Sequence, residues 1–159
     1  MCDLKQHEKY MAMAIEEAKK AADIDEVPVG AVIIKNGEVV GRGFNRIETE
    51  KDPTFHAEMI AIRDATSRLD SKWLVGCTMY VTTEPCSMCA GASVLARLDS
   101  IVAGAKSDKS GACGSVKNIL ESESLNHKVG YTVGILGEEC SELLSSFFRE
   151  LRAKSERTK

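Results

Sequence analysis

Cys77-Thr78-Met79-Tyr80-Val81-Thr82-Thr83-Glu84-Pro85-Cys86-Ser87-Met88-Cys89-Ala90-Gly91-Ala92 reads as a strand, a turn and the start of a helix. Cys77 to Thr82 is rich in β-formers, Thr83-Glu84-Pro85 is a turn, and a helix is predicted from Cys86 to Arg97. Ser100-Ile101-Val102-Ala103-Gly104 then gives a second strand. Two strands joined through a helix imply a parallel pair with a right-handed crossover, which places the chain in the α/β class.

The flanking segments extend this unit in both directions. Upstream, Asp3 and Gln6 can cap a helix whose apolar stripe runs through Met11, Ile15, Ala18 and Ala22. Val27 to Ile34 is nearly unbroken apolar sequence, as expected of a strand covered on both faces, and Asn36-Gly37 supplies a type I′ turn into a returning strand, Glu38 to Asn45. Residues 46–53 are polar and end in proline, which predicts a surface loop, after which Thr54 is placed to cap a helix through Ala57, Ile60, Ala61 and Ala65. Downstream, Ser107 to Gly114 reads as loop, Val116 to Leu120 as a short helix and Lys128 to Val133 as a strand. From Gly137, the stripe Cys140, Leu143, Leu144, Phe147 and Leu151 predicts a helix covering the sheet, with Phe147 as core. Layer logic assembles these into a three-layer α/β/α sandwich around a central mixed sheet of about five strands.

At 159 residues the chain is expected to be one domain, 1–159, with a basic C-terminal helix or tail at 149–159. That tail carries +3, whereas the residues before it sum to −6. Taken alone, such a tail is a solvated helix end. No apolar run approaches the roughly 20 residues needed to span a bilayer, so no membrane partner is expected. Met1 to Glu8 is too polar for a signal peptide. Six cysteines without an export signal argue for reduced thiols and a cytoplasmic location, leaving Cys2, Cys77, Cys113 and Cys140 unpaired.

The remaining two cysteines carry the chemistry. Cys86 and Cys89 share a face in the first helical turn, where free N–H groups and the positive helix end favour thiolates. His56, two residues before Glu58, opens the preceding helix. One imidazole and two thiolates make three of the four ligands of tetrahedral Zn2+, one ion per chain, with a position left for water; Glu58 is then the natural proton carrier. A Cys-x-x-Cys alone also fits a redox pair, half of a structural zinc site, or two buried thiols. A structural site would need a fourth protein ligand, for which Cys77, Cys113 and His127 are candidates only if the fold converges them.

His-x-Glu followed by Pro-Cys-x-x-Cys matches the signature of zinc-dependent nucleobase deaminases. In that chemistry Glu58 takes the water proton, gives it to a ring nitrogen as the amine-bearing carbon is attacked, and later protonates the departing ammonia. Glu26-Val27-Pro28-Val29-Gly30-Ala31, Gly43-Phe44-Asn45-Arg46, Asp52 to Glu58, Tyr80 to Ala92, Lys109 to Ser115, Leu125-Asn126-His127 and Phe147-Phe148-Arg149 extend the likeness across residues 8–152. Over that range the sequence resembles bacterial tRNA-specific adenosine deaminases.

The resemblance implies a homodimer with a cytidine-deaminase-like fold that converts the wobble adenosine of a tRNA anticodon loop to inosine. It implies that Asn45 holds the target nucleotide, with Val29 and Ala57 also binding substrate, and that Asn126, Phe148, Arg149 and Arg152 lie near flanking anticodon nucleotides. Two positions depart from the family pattern. Ser107 stands where an aspartate is usual, with Asp108 next to it, and Phe55 replaces a smaller residue before His56. The same reaction signature suits a free-base deaminase acting on guanine or cytosine. A non-catalytic zinc-stapled RNA-binding subunit is the other alternative, and the presence of Glu58 stands against it.

Overall fold

Asp3 caps the first helix as its spacing predicts, its carboxylate accepting the Gln6 N–H at 2.8 Å. The computed structural model describes residues 3–158. Its elements are α1 Leu4–Asp23, β1 Gly30–Lys35, β2 Glu38–Phe44, α2 Ile47–Glu50, α3 Ala57–Leu69, β3 Cys77–Thr83, α4 Ser87–Leu95, β4 Ser100–Ala105, β5 Gly130–Val133 and α5 Gly137–Arg157. The sheet is mixed, in the order β2-β1-β3-β4-β5. β1 is antiparallel to both β2 and β3, while β3, β4 and β5 run parallel.

Strand alternation distributes the core between two faces. Ala31, Ile33, Met79 and Val81 point to one side, where they meet Ala57, Ala61 and Ala65 of α3 and Ala90 and Val94 of α4. Val32, Ile34, Tyr80 and Val102 point to the other, against Tyr10, Met11 and Ala14 of α1 and Cys140 of α5. This is the expected α/β/α sandwich around a five-stranded mixed sheet. Small residues let the layers approach: a Cβ on Gly30 would stand 2.2 Å from the Ala14 carbonyl oxygen.

The turn at Asn36-Gly37 has both residues at positive φ, 51° and 80°, as a type I′ hairpin requires. Elsewhere the boundaries differ for identifiable reasons. Val27 to Val29 stay outside β1, because the Val29 N–H turns back to Val27 O at 2.8 Å and Pro28 has none to give. The expected 46–53 loop contains a short helix, α2, whose free N–H groups are taken by the distant carboxylate of Glu26. Thr54 does not cap α3; its N–H and hydroxyl both donate to Asp52 Oδ1, and His56 is the N-cap.

α4 starts one residue late, with Cys86 as N-cap, and stops at Leu95 before Arg97 turns left-handed, φ 59°. Val116 to Leu120 is not helical; the Val116 and Lys117 N–H groups fold back on Gly111 O, and Cys113 bridges to Asn118. β5 begins at Gly130 and not at Lys128. The α5 stripe covers the sheet only at its start. Cys140 is buried and Leu143 packs partly, but Leu151 is 51% exposed. Twenty-one helical residues span about 32 Å, well past the roughly 20 Å of a six-residue strand, so the far half of α5 outruns the sheet.

Among the described residues no helix is long and apolar enough to cross a membrane. Cys77, Cys113 and Cys140 are free, as read from the sequence, and all three are buried; Met1, Cys2 and Lys159 lie outside the described residues.

Candidate active site

The carboxyl end of β3 and the amino ends of α3 and α4 meet at one point. His56 is the N-cap of α3 and Cys86 that of α4, both with extended backbone, so their side chains leave the helix ends and converge. His56 Nδ1 stands 3.7 Å from Cys86 Sγ and 3.6 Å from Cys89 Sγ, and the three donor atoms lie within 4.8 Å of one another. Among the described residues they form the one such cluster, a group able to hold a metal ion.

Among the described residues no fourth protein donor joins them. His127 Nε2 is 2.7 Å from the Leu98 carbonyl oxygen, and Cys77 sits at the opposite end of β3. Cys113 is buried, which pushes its thiol up to about 12. Within the cluster, the Cys89 thiol is the largest influence holding Cys86 as a thiolate, at about 3, against burial and with the His56 ring assisting. Contact with Cys86 raises His56, and contact with Cys86 together with burial raises Cys89.

Glu58 lies in the first turn of α3 and is 3% exposed. Burial is the main cause that pushes its carboxyl above the ordinary range, so it holds a proton more readily than a surface glutamate. Glu58 is not one of the three clustered donors. A cavity of about 220 Å³ opens over this group, with His56, Ala57, Glu58 and Cys86 in its lining. Sheet order sets its sides. Val27, Val29, Asn45 and Ile47 come from the β1–β2 edge, and Ser107 and Ser110 from the loop after β4, on the other side of β3.

Asn45 is 6% exposed, and its amide is oriented by the protein: Nδ2 donates to Val27 O at 3.2 Å, leaving Oδ1 buried without a partner. A buried acceptor left without a partner is unusual in a folded protein and asks for an explanation. Phe55 lies under the Arg63 guanidinium, 5.3 Å from its ring centre.

The structure brings His56, Glu58, Cys86, Cys89, Val29, Asn45 and Ala57 together, all but Cys89 lining the cavity and Cys89 belonging to the donor cluster. Asn126, Phe148, Arg149 and Arg152 are exposed and do not line it. Arg149 reaches Glu142 at 2.6 Å, Phe148 packs edge-on to half-buried Phe147 at 5.5 Å, and Lys154 pairs with Asp25. Sequence reasoning missed Ile47, Ser110 and the two buried carboxylates Glu26 and Glu84. Both glutamates stand in the segments that carried the resemblance, but nothing in their spacing announces what they bond.

Comparison with known proteins agrees with this geometry. Residues 5–152 match the family model described as MafB19-like deaminase. The tRNA-specific adenosine deaminase of Bacillus subtilis (strain 168) is 50% identical over 149 residues, covering 94% of this chain and 92% of that protein. The tRNA-specific adenosine deaminase of Aquifex aeolicus (strain VF5) is 49% identical over 145 residues, 91% and 95% of the two chains. A structure solved in a study of A-to-I editing by tRNA:A34 deaminases at the wobble position superposes with a TM-score of 0.83 at 38% identity, covering 86% of this chain and 99% of that one.

Proposed function

The chain belongs to the family of tRNA-specific adenosine deaminases, and on that premise we propose that it hydrolyses the wobble adenosine of a tRNA anticodon loop to inosine and ammonia, with one zinc ion per chain. The observation that carries the proposal is the position of Glu58, buried in the lining of the cavity that the His56, Cys86 and Cys89 cluster adjoins.

The donor set supports zinc. Metal–sulfur bonds of roughly 2.3 Å and metal–nitrogen bonds of roughly 2.0–2.1 Å at a tetrahedral angle put sulfur and nitrogen about 3.6 Å apart. The observed separations are 3.6 and 3.7 Å. Bound there, zinc would supply the Lewis acidity that makes water a nucleophile near neutral pH. Glu58 takes a proton from the attacking water and delivers it to the ring nitrogen beside the amine-bearing carbon. It then carries the second proton to the amine, which departs as ammonia. Asn45 Oδ1 accepts from the base or its ribose, and Val29 and Ala57 flank it.

A cavity of about 220 Å³ is smaller than the roughly 300–1,000 Å³ of drug-sized sites, and so suits one base splayed out of an anticodon loop. Asn126, Phe148, Arg149 and Arg152 are assigned to flanking nucleotides. Exposure of Phe148 at 40% and the basic residues Lys154 and Arg157 in the last turn of α5 support that assignment, which predicts binding that weakens as salt rises. The protein is expected to act as a homodimer in the cytoplasm. Leu95, 79% exposed on α4, is an apolar residue that pairing would cover.

The test incubates the protein separately with bulk bacterial tRNA, adenosine, guanine and cytosine and measures products by mass spectrometry. Inosine in tRNA is expected. Turnover of guanine or cytosine with no inosine in tRNA overturns the proposal in favour of a free-base deaminase.

A further inference from the structure

Glu84 lines the cavity two residues before Cys86, yet its carboxylate is used almost entirely on the protein itself. Oε1 accepts the Ser107 N–H at 3.2 Å and, in a short bond, the Ser115 hydroxyl; Oε2 accepts the N–H groups of Cys113 and Ser115 at 3.0 and 3.1 Å. The residue is 3% exposed. The loop is wound around this group so closely that a Cβ on Gly111 would stand 2.5 Å from the carboxyl carbon. Ser107 and Ser110, in the same loop, face the cavity.

The opposite side repeats the device. Glu26, 1% exposed, accepts the N–H of Glu48 at 3.1 Å and both the N–H and hydroxyl of Thr49 at 2.7 Å. This fixes α2, which presents Ile47 to the cavity. Neither loop has a regular ladder to hold it. Beside a few backbone bonds, such as the Ala112 N–H to Pro85 O and the Arg46 N–H to Phe55 O, each is tied by one buried carboxylate, and charge-assisted bonds of this kind are about twice as strong as neutral ones.

We propose that Glu84 and Glu26 are positioning residues for the deamination: they hold the Ser107–Ser110 segment and Ile47 on either side of the cavity and so set the width of the entrance that grips the splayed base. The proposal rests on the cavity being the substrate site. It assigns the two glutamates no part in proton transfer, which stays with Glu58.

The bonding pattern makes a selective variant available. In Glu84→Gln the new amide NH2 cannot face the two N–H donors at Oε2, so it takes the Oε1 place. The Ser115 hydroxyl can rotate to accept it, but the Ser107 N–H loses its acceptor. Glu84→Gln is thus expected to release Ser107 while leaving Cys113 and Ser115 tied.

Purified metal-loaded protein, wild type, Glu84→Gln and Glu26→Gln, is compared by residue-resolved amide hydrogen exchange, metal content and steady-state kinetics on tRNA. The expected result for Glu84→Gln is at least ~10-fold faster exchange at Ser107 with Cys113 and Ser115 still protected, full metal, kcat within about 3-fold and KM raised at least ~10-fold, the pattern of lost ground-state binding. Glu26→Gln is expected to free the Glu48 or Thr49 amide with the same KM-weighted loss. Unchanged exchange at Ser107, or released loops with unchanged KM, overturns the proposal, as does a loss confined to kcat or a failure of both variants to fold. A wild-type protein that makes no inosine in tRNA defeats the proposed function instead, and the exchange data still decide whether the two carboxylates hold the loops.

Discussion

A Cβ on Gly43 would stand 2.3 Å from the carbonyl oxygen of Ala57, so β2 and the first turn of α3 touch backbone to backbone next to His56 and Glu58. The hairpin strand therefore decides where the helix carrying two functional residues begins. Gly43→Ala forces that turn outward. We expect a loss of about 1–3 kcal/mol, a fall of several degrees in Tm, and reduced metal content. Gly30→Ala makes an equally close clash with Ala14 on the opposite face, and is expected to lower Tm by a similar amount while keeping the metal. Equal metal content in both variants would disconnect β2 from the site.

Metal content is the second measurement. Elemental analysis of folded, active protein should give one zinc per chain, and chelation should abolish activity and lower Tm, because binding energy at a site formed on folding is folding energy. Cys86→Ala should lose the metal. Retention of a full equivalent would remove Cys86 from the ligand set.

Glu58→Gln should keep both fold and metal while losing turnover by at least ~10²-fold, the usual weight of positioned acid–base catalysis. The amide is of similar size and is not among the clustered donors, so zinc loss is not expected to confound the result. Near-normal deamination by this variant would leave the chemistry without its proton carrier.

Acid should loosen the β2 edge through Glu26. Burial raises this carboxyl, but the Thr49 hydroxyl and N–H, the Glu48 N–H and the Arg46 charge more than offset it, and the net shift is downward. A group depressed on folding stabilises the native state above its unfolded value of about 4.3, and that contribution disappears as pH falls through the lower folded value. Wild-type Tm is therefore expected to fall more steeply than that of Glu26→Gln between about pH 5 and pH 2. Parallel curves would show that Glu26 contributes no such linkage.

The layers and the His56, Cys86 and Cys89 cluster were legible in the sequence, the layers from local spacing and the cluster from two short motifs. The nearly unbroken apolar run to Ile34 demanded a strand buried on both faces, found from Gly30 to Lys35, Asn36-Gly37 could hardly be anything but a hairpin turn, and Cys86 and Cys89, three apart, meet at the start of one helix. Thr54 misled because a hydroxyl before a helix is a good cap only if nothing nearer takes it, and Asp52 did. Val116 to Leu120 misled similarly, since its amides found Gly111 before they found each other.

Sequence by itself therefore determined most of the secondary elements and the parallel βα unit, through periodicity, and singled out His56, Glu58, Cys86 and Cys89 through two short motifs. Only the tertiary structure decided that Asn45 lines the cavity with its Oδ1 buried and unpaired, and that Glu26 and Glu84 bind amides more than twenty residues away. A buried carboxylate takes whichever N–H groups the fold brings within about 3 Å, and that proximity is a property of packed layers which no local spacing encodes.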